Sequence, residues 1–223
     1  WEAAISEQTC AVLLELVQGE GGVNPISPAF LYGLAEICRQ KGILLIFDEV
    51  QTGLGRTGKY FAWQHLGIKP DLITSAKALG EGVPIGALLA SNKVADAFQP
   101  GDHSTTVGGG GLAFAVGLEV LRIMEEENLP ERAASLGAEL ISTFQNWQKE
   151  IPIIKEIRGW GLLLALELSV PALPIVRKCF DRGLLVNAVT PNALRLLPAL
   201  NICRKDLDDG LDILHQVMSK AIP

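Results

Sequence analysis

The 223-residue chain lacks paired metal ligands, a surplus of positive charge and any long apolar run. No CxxC or HxxxH spacing occurs, which excludes the common metal-site patterns. The formal net charge of -6 argues against nucleic acid or an anionic membrane as a main partner. No segment approaches ~20 uninterrupted apolar residues, so we expect no membrane span. The few cysteines and histidines are widely separated: Cys10, Cys38, Cys179, Cys203, His65, His103 and His215.

Cysteine usage and the first residues bear on location and extent. Scattered cysteines without close pairs predict reduced, mostly buried thiols in a cytosol-like compartment, so we expect a cytoplasmic protein. The chain opens on Trp1, without an initiator methionine or a signal-peptide pattern, and reaches the apolar segment 11–17 almost at once. We therefore expect this sequence to continue a chain that begins further upstream.

The first half of the sequence alternates short apolar runs with a helix-like stretch. A helix is predicted from Ser27 and Pro28 to Lys41, because serine is a good N-cap and proline fits the first helical turn. The run 43–47 is nearly continuous in Ile, Leu and Phe, which is typical of a strand buried on both faces of a parallel sheet. An α/β layer with a mostly parallel sheet and right-handed crossovers is predicted. Its strands are expected at 11–17, 43–47, 71–75 and 86–90.

The second half has a different order. Residues 99–111 show neither helix nor strand periodicity and are predicted to be a loop. The order of elements beyond the loop favours a smaller α+β domain. We thus expect two domains, 1–111 and 112–223. The elements predicted after the loop are helices at 112–127 and 130–150, strands at 153–157 and 162–168, a helix at 171–182, strands at 184–188 and 193–197, and a helix at 206–220.

An acid and an amine follow two of the predicted strands. Asp48 closes the run 43–47, and Lys77 follows the run 71–75. A pyridoxal-phosphate enzyme needs this pair, since the amine forms a Schiff base with the cofactor and the acid keeps the pyridine nitrogen protonated. Small or apolar neighbours predict that Lys77 is shielded from water and more nucleophilic. The alternatives are a turn or cap acid at Asp48 and a solvated surface lysine. Gln51 lies close enough to add a hydrogen bond to a ring substituent.

Three further positions carry possible binding chemistry. Thr105 and Thr106 lie in a glycine-rich loop that either binds phosphate or is only a flexible connection. Arg195 interrupts an apolar segment, and a desolvated guanidinium requires either a substrate carboxylate or an internal salt bridge. Glu20, on a loop rich in glycine, is a candidate partner for Arg195 when no substrate is bound.

These segments together resemble the class III pyridoxal-phosphate aminotransferases, most of all the ornithine and acetylornithine type. The matching motifs come in the family's order and cover nearly the whole chain. The resemblance implies the fold of pyridoxal-phosphate transferases of fold type I: part of the large domain, followed by a small C-terminal domain. The motifs are Gln18-Gly19-Glu20-Gly21-Gly22, Phe47-Asp48-Glu49-Val50-Gln51-Thr52-Gly53, Gly55-Arg56-Thr57-Gly58, Pro70-Asp71, Thr74-Ser75-Ala76-Lys77-Ala78-Leu79-Gly80, Pro84-Ile85-Gly86-Ala87, His103-Ser104-Thr105-Thr106 and Arg195-Leu196-Leu197-Pro198.

The resemblance also implies roles toward the cofactor, pyridoxal 5'-phosphate. Lys77 would form the Schiff base and then transfer the proton during the reaction. Asp48 would pair with the pyridinium nitrogen, and Gln51 would contact the 3-oxygen of the ring. Thr106 would bind the cofactor phosphate of a neighbouring subunit, because active sites in this family are shared across a homodimer.

For the substrates, the resemblance implies transfer of the δ-amino group of N-acetylornithine to 2-oxoglutarate, a step of arginine biosynthesis. Arg195 would bind a substrate α-carboxylate, and Glu20 would neutralise Arg195 while an ω-amine enters. Ornithine, γ-aminobutyrate or a diamine are alternative donors. A further alternative is an inactive truncated fragment that only associates with a partner.

Two departures from the family pattern stand out. Family members carry an N-terminal half with a phosphate-binding loop and an aromatic residue over the pyridine ring, and this chain has neither, so it looks like the C-terminal part of such an enzyme. After Thr106 the family has an aromatic residue, two glycines and Asn-Pro, where this chain reads Val107 followed by four glycines. Because glycine costs about 1 kcal/mol relative to alanine in a helix, we expect a looser loop, a weaker helix start and a less firmly held Thr106 contact.

Overall fold

A computed structural model describes residues 4–106 and 108–221 of the chain. The strands, in chain order, are β1 (Ala11–Glu15), β2 (Val17–Gln18), β3 (Asn24–Pro25), β4 (Leu44–Asp48), β5 (Leu72–Ser75), β6 (Ala87–Ala90), β7 (Ile154–Trp160), β8 (Leu163–Leu168), β9 (Asn187–Ala188) and β10 (Ala193–Leu196). The α-helices are α1 (Pro28–Lys41), α2 (Asn92–Ala95), α3 (Gly111–Glu126), α4 (Leu129–Glu150), α5 (Leu173–Phe180) and α6 (Arg204–Ser219). Short 3₁₀ turns cover Ala62–His65 and Lys77–Leu79.

The chain divides into two compact units. The first contains the residues up to Leu16 together with Ile26–Leu54 and Tyr60–Glu127. The second contains Val17–Pro25, Gly55–Lys59 and the residues from Asn128 onward. This division differs from the predicted one, which places a single boundary between residues 111 and 112. Helix α3 belongs to the first unit, and two short segments from the first half of the sequence belong to the second.

A four-stranded sheet organises the first unit, in the order β1-β4-β5-β6. Strands β1, β4 and β5 are parallel, as the apolar run of β4 predicts. Strand β6 pairs antiparallel with β5, so the sheet, predicted to be mostly parallel, is mixed at this edge. The connection 76–86 contains only a 3₁₀ turn, and a parallel return requires a longer crossover with a helix.

Helix α1 begins and ends where its sequence predicts. Ser27 has extended backbone geometry at the N-cap, and Pro28 occupies the first turn. Gly42 ends the helix in the left-handed region at φ 68°, and its N–H donates to the carbonyl of Cys38. Glycine adopts this conformation without steric cost, so the chain turns directly into β4.

The second unit is built on an antiparallel sheet in the order β7-β8-β10-β9. Side chains of β8 alternate between its two faces, as in any strand. Leu164 and Leu166 are fully buried in the large core that includes residues of α4, α5 and α6. Leu163 and Ala165 are buried on the other face, against Val17 and Val23 of the β2–β3 hairpin. The hairpin therefore covers the sheet face that the helices leave open.

Candidate active site

Asp48 lies at the carboxyl end of β4, directly opposite Thr74 of the parallel strand β5. Its Oδ1 accepts hydrogen bonds from Thr74 Oγ1 at 3.1 Å and from the backbone N–H of Val50 at 2.9 Å. Open α/β sheets bind ligands at this edge, because the strands end there and the loops diverge. The half-buried carboxylate is thus held by the neighbouring strand and by its own turn.

Glu49 is a buried acid that the sequence interpretation did not select. It is 1% exposed, and its carboxylate accepts from Thr52 Oγ1 and from the backbone N–H groups of Ala62 and Trp63. Burial raises the pKa of Glu49; these hydrogen bonds oppose the shift, and the nearby Asp48 carboxylate adds to it. Glu49 therefore joins the turn after β4 to the start of the 3₁₀ turn at Ala62. The only sequence feature that points to Glu49 is its place beside Asp48 at a strand end, and an ordinary surface acid can occupy the same place.

Lys77 follows β5 and begins the 3₁₀ turn Lys77–Leu79. Its backbone lies in the left-handed region at φ 43°, which costs on the order of 1 kcal/mol or more for a residue with a side chain. Such strain is concentrated at functional sites. The side chain is exposed, so the expectation that its neighbours shield it from water is wrong for this structure. The neighbours Ser75, Ala76 and Ala78 are too small to cover the Lys77 amine, so solvent reaches it.

The remaining residues predicted for the cofactor lie in turns of the first unit. Gln51 is half-buried in the turn that follows Asp48. Thr106 is exposed in the loop before α3, and the adjacent Thr105 Oγ1 accepts from the N–H of Gly108 at 3.0 Å. Position 107, part of the departure from the family pattern, lies outside the described residues. The hydrogen bond from Gly108 shows that Thr105 closes this part of the glycine loop.

Arg195 and Glu20 are brought together within the second unit. Arg195 lies on β10 opposite Ala165 of β8, and its side chain is 9% exposed. Its Nη1 donates to Glu20 Oε1 at 2.6 Å and to the carbonyl of Gly19 at 3.1 Å. The Glu20 side chain is 71% exposed, so it can leave Arg195 without opening the core. A buried guanidinium with a displaceable carboxylate partner can exchange that partner for the carboxylate of a ligand.

The strand-end residues of the first unit have the chemistry that pyridoxal phosphate requires. They offer a positioned carboxylate for a protonated ring nitrogen and an accessible primary amine for an aldehyde. In addition, the Oγ of Ser75, buried at the end of β5 two residues before Lys77, has no hydrogen-bond partner within the described part of the chain. The residues present therefore fit this cofactor.

Other classes of site have no counterpart in the described ranges. Between residues 4 and 106 and between 108 and 221, no group of three His, Cys, Asp or Glu side chains could hold a metal ion. Over the same ranges, no helix has both the length and the apolarity needed to cross a membrane.

Comparison with known proteins identifies the family. Residues 1–218 match the family model Aminotransferase class-III. The chain belongs to the class III aminotransferases. The predicted family is thereby confirmed, and with it the enzyme class and the cofactor of that family, since class III aminotransferases use pyridoxal phosphate.

Individual relatives agree with this assignment. The chain is 46% identical to acetylornithine aminotransferase 1 of Bordetella parapertussis over 95% of its length and 54% of that protein. It is 41% identical to acetylornithine aminotransferase of Caldanaerobacter subterraneus subsp. tengcongensis, over 97% of the chain and 55% of the relative. Among solved structures, ornithine aminotransferase of Toxoplasma gondii, described with partial occupancy of PLP at its active site, superposes with a TM-score of 0.91 at 37% identity, covering 97% and 52% of the two chains.

These comparisons confirm the predicted fold class: part of a pyridoxal-phosphate transferase with a mostly parallel sheet and a separate antiparallel sheet. The chain spans about half the length of the curated relatives it matches. The roles predicted for individual site residues stay predictions.

Proposed function

We propose that this chain carries active-site residues of an ω-aminotransferase that moves the δ-amino group of N-acetylornithine to 2-oxoglutarate. The observation that carries the proposal is the arrangement at the ends of β4 and β5. Asp48 is hydrogen-bonded to Thr74, and Lys77 follows three residues later in a strained backbone conformation. Relatives at 41–46% identity that are named acetylornithine aminotransferases support this donor and a place in arginine biosynthesis.

The proposed roles toward the cofactor are those that the family resemblance implies, and the side chains have the chemistry these roles need. Pyridoxal phosphate, when bound, supplies a pyridine ring that withdraws electrons from the carbon bearing the amino group. Asp48 would hold the proton on the ring nitrogen, and Gln51 would hydrogen-bond the ring's 3-oxygen. Lys77 would hold the cofactor through Nζ, and, once the donor amine has displaced it, the freed Nζ would accept the proton that leaves the amine-bearing carbon of the donor.

The Arg195–Glu20 pair gives a physical basis for two substrates. 2-Oxoglutarate carries two carboxylates, and Arg195 binds one of them once Glu20 has moved away. When the donor presents an uncharged acetyl end or an ω-amine, Glu20 returns to neutralise Arg195. A buried guanidinium without a charged partner would be costly in free energy, so the return of Glu20 keeps Arg195 paired whenever no ligand carboxylate contacts it.

A second donor, ornithine, has its own supporting observation. The ornithine aminotransferase of Toxoplasma gondii matches the fold of this chain with a TM-score of 0.91. The residues at the strand ends serve either donor equally. Steady-state rates with ornithine and with N-acetylornithine as alternative donors distinguish the two: the proposal requires the larger kcat/KM with N-acetylornithine.

A homodimer and a cytoplasmic location are also part of the proposal. Thr106 would bind the cofactor phosphate of the neighbouring subunit from its exposed loop. The four cysteines are free thiols in this structure, which is typical of proteins from reducing compartments. Analytical ultracentrifugation measures the mass of the protein in solution, and we expect the mass of a dimer. A monomer mass would contradict the proposed homodimer.

The test of the central proposal is covalent attachment of the cofactor. The purified chain is incubated with pyridoxal phosphate, reduced with borohydride and digested for peptide mapping. We expect a visible absorbance band and one modified peptide containing Lys77. Lys77→Arg should abolish both, while Lys69→Arg, which alters an exposed lysine of the same unit, should leave both unchanged. Equal modification of many lysines, or none at Lys77, would overturn the assignment.

A further inference from the structure

The turn that carries Glu20 is held at two places by two different arginines. It lies between β2 and β3 and consists of Gly19, Glu20, Gly21 and Gly22, and Val23 completes the connection. Arg195 holds its first part through the Gly19 carbonyl and the Glu20 carboxylate. The contact with the carboxylate has to open when a substrate binds. The turn then keeps the Gly19 carbonyl bond, a local bond from Asn24 Nδ2 to the Gly21 carbonyl at 2.8 Å, and a second arginine attachment that does not depend on Glu20.

Arg158 on β7 supplies that second attachment. Its Nε donates to the carbonyl of Gly22 at 2.9 Å, and its Nη2 donates to Glu167 Oε2 at 2.6 Å. Its Nη1 donates to Glu156 Oε2 at 3.2 Å. The Arg158 side chain is only 13% exposed, whereas that of Glu156 is 61% exposed. The guanidinium is therefore oriented chiefly by Glu167, and this orientation directs its Nε toward the turn.

The backbone around Gly22 is shaped for this contact. Gly22 has φ 116°, a conformation that favours glycine. A Cβ at Gly22 would lie 3.3 Å from Arg158 Nη2 and 3.1 Å from Thr190 Cγ2, so a side chain would press against the arginine. The next residue, Val23, is fully buried at φ 57°. This end of the turn is thus closely packed, while the Glu20 side chain remains in solvent.

We propose that Arg158 is a positioning residue for the substrate switch: it fixes the Gly19–Gly22 turn so that the Glu20 side chain alone moves when a carboxylate binds Arg195. This inference rests on the proposed role of Arg195 in carboxylate binding. Arg158 lets Glu20 leave without loss of the turn and ensures that it returns to the same place. Discrimination between a dicarboxylate and an ω-amine depends on that return.

The first test measures the turn itself and needs neither cofactor nor activity. A protease specific for glutamate cleaves after Glu20, whose side chain is exposed. We expect Arg158→Ala to speed this cleavage at least about fivefold relative to cleavage after Glu81, because a charged hydrogen bond to the turn is lost. Arg158→Lys, which keeps one donor and the charge, should give an intermediate rate.

The matched control is Arg132→Ala. Arg132 also donates to backbone carbonyls of the second unit, those of Leu200 and Ile202, but it does not contact the turn. We expect cleavage after Glu20 to stay unchanged in this variant. If Arg132→Ala accelerates the cleavage as much as Arg158→Ala does, the effect is general loosening of the unit and the proposal is overturned.

The second test measures the consequence for a carboxylate ligand, with glutarate as an unreactive dicarboxylate in isothermal titration calorimetry. Glu20→Gln should tighten glutarate binding, because the competing carboxylate is removed. Arg158→Ala should tighten it about threefold by weakening the same competition. In the Glu20→Gln background, Arg158→Ala should have no further effect, because it acts only through Glu20.

The outcomes separate the inference from the function on which it rests. Unchanged cleavage in Arg158→Ala, or equal effects of Arg158→Ala on glutarate binding in both backgrounds, overturns the positioning role. Faster cleavage without any glutarate binding by the unaltered chain supports the anchoring of the turn and overturns the role proposed for Arg195. Glutarate binding that Arg195→Ala does not weaken overturns that role as well.

Discussion

The two units differ in how much apolar surface they cover. In the second unit, consecutive β8 residues from Leu163 to Leu166 are fully buried, because helices cover one face and the β2–β3 hairpin the other. In the first unit, all four β6 residues are exposed, and α3 exposes Leu112 and Leu118. The proposed carboxylate-binding pair thus lies in a unit whose sheet is covered on both faces, although Phe180 and Leu185 of that unit are exposed. The acid and the amine lie in a unit whose edge strand β6 and helix α3 are open.

This difference shows that the burial of polar residues near the candidate site does not depend on how well the apolar surface of the same unit is covered. The first unit buries its polar centre well, since Glu49 is 1% exposed, although its outer apolar residues are open. The strand-end acid is therefore positioned by local hydrogen bonds, and much less by the coverage of the surrounding surface.

The largest expected effect comes from opening the core of the second unit. Phe144 on α4 is fully buried and packs edge-on against Trp147 at a ring-centroid distance of 5.1 Å. We expect Phe144→Ala to lower the free energy of unfolding by about 3–5 kcal/mol, through lost apolar burial and a residual cavity. Urea unfolding followed by far-ultraviolet circular dichroism measures the change.

The matched control is the same substitution in the first unit. Phe114 on α3 is 57% exposed, so Phe114→Ala should change the free energy of unfolding by less than about 1 kcal/mol. The comparison between units fails if the two substitutions cost the same.

A smaller effect should appear in the pH dependence of the first unit. Because burial raises the pKa of Glu49 above its ordinary value of 4.5, the folded state holds its proton more tightly than the unfolded state does. Glu49 therefore stabilises the fold least once pH has risen through its folded pKa. We expect the stability of the unaltered chain, minus that of Glu49→Gln, to fall as pH rises above about 4.5.

Glu36 supplies a control of opposite sign. Hydrogen bonds from Arg39 and Gln40 lower the pKa of this exposed carboxylate to about 2. Its contribution is present above the ordinary pKa and is lost as pH falls toward 2, and solvent screening keeps it small. Denaturant titrations across the acid range measure both differences, and a Glu49 difference that rises with pH would contradict the burial argument.

The smallest effect on stability is expected on the open face of α3. Leu118→Ser replaces a side chain that is 70% exposed and should change the free energy of unfolding by less than about 0.5 kcal/mol. It should nevertheless reduce binding of an apolar fluorescent dye, because that face is apolar. Glu125→Ser, an exposed polar position on the same helix, should leave dye binding unchanged. Equal dye binding by all variants would place the open apolar surface elsewhere.

Local sequence signals account for most of the elements. Helix α1 follows from Ser27, Pro28 and Gly42, whose backbone preferences act within a few residues. Strand β4 follows from its apolar run, and it brings Asp48 to the sheet edge. Isolated Arg195 in an apolar segment predicted a buried ion pair or a ligand carboxylate, and the structure pairs it with Glu20.

Features that depend on distant pairing were not predictable in this way. Nothing in the four residues of β6 specifies their direction, which the short connection from β5 decides. Strands β2 and β3 have two residues each, too few for a periodic pattern. The roles of Glu49 and Arg158 depend on partners far along the chain, and their immediate neighbours resemble those of ordinary surface charges.

The second unit is not a contiguous stretch of the polypeptide. The chain passes from one unit to the other after Leu16, Pro25, Leu54, Lys59 and Glu127. A recombinant piece beginning at Asn128 would contain Arg195 but neither Glu20 nor the Gly55–Lys59 segment, in which Arg56 donates to the carbonyls of Leu162 and Pro198. Modular exchange of this unit between relatives therefore requires three grafted segments. A single-crossover chimaera would take Arg195 from one parent and Glu20, the acid proposed to regulate it, from the other.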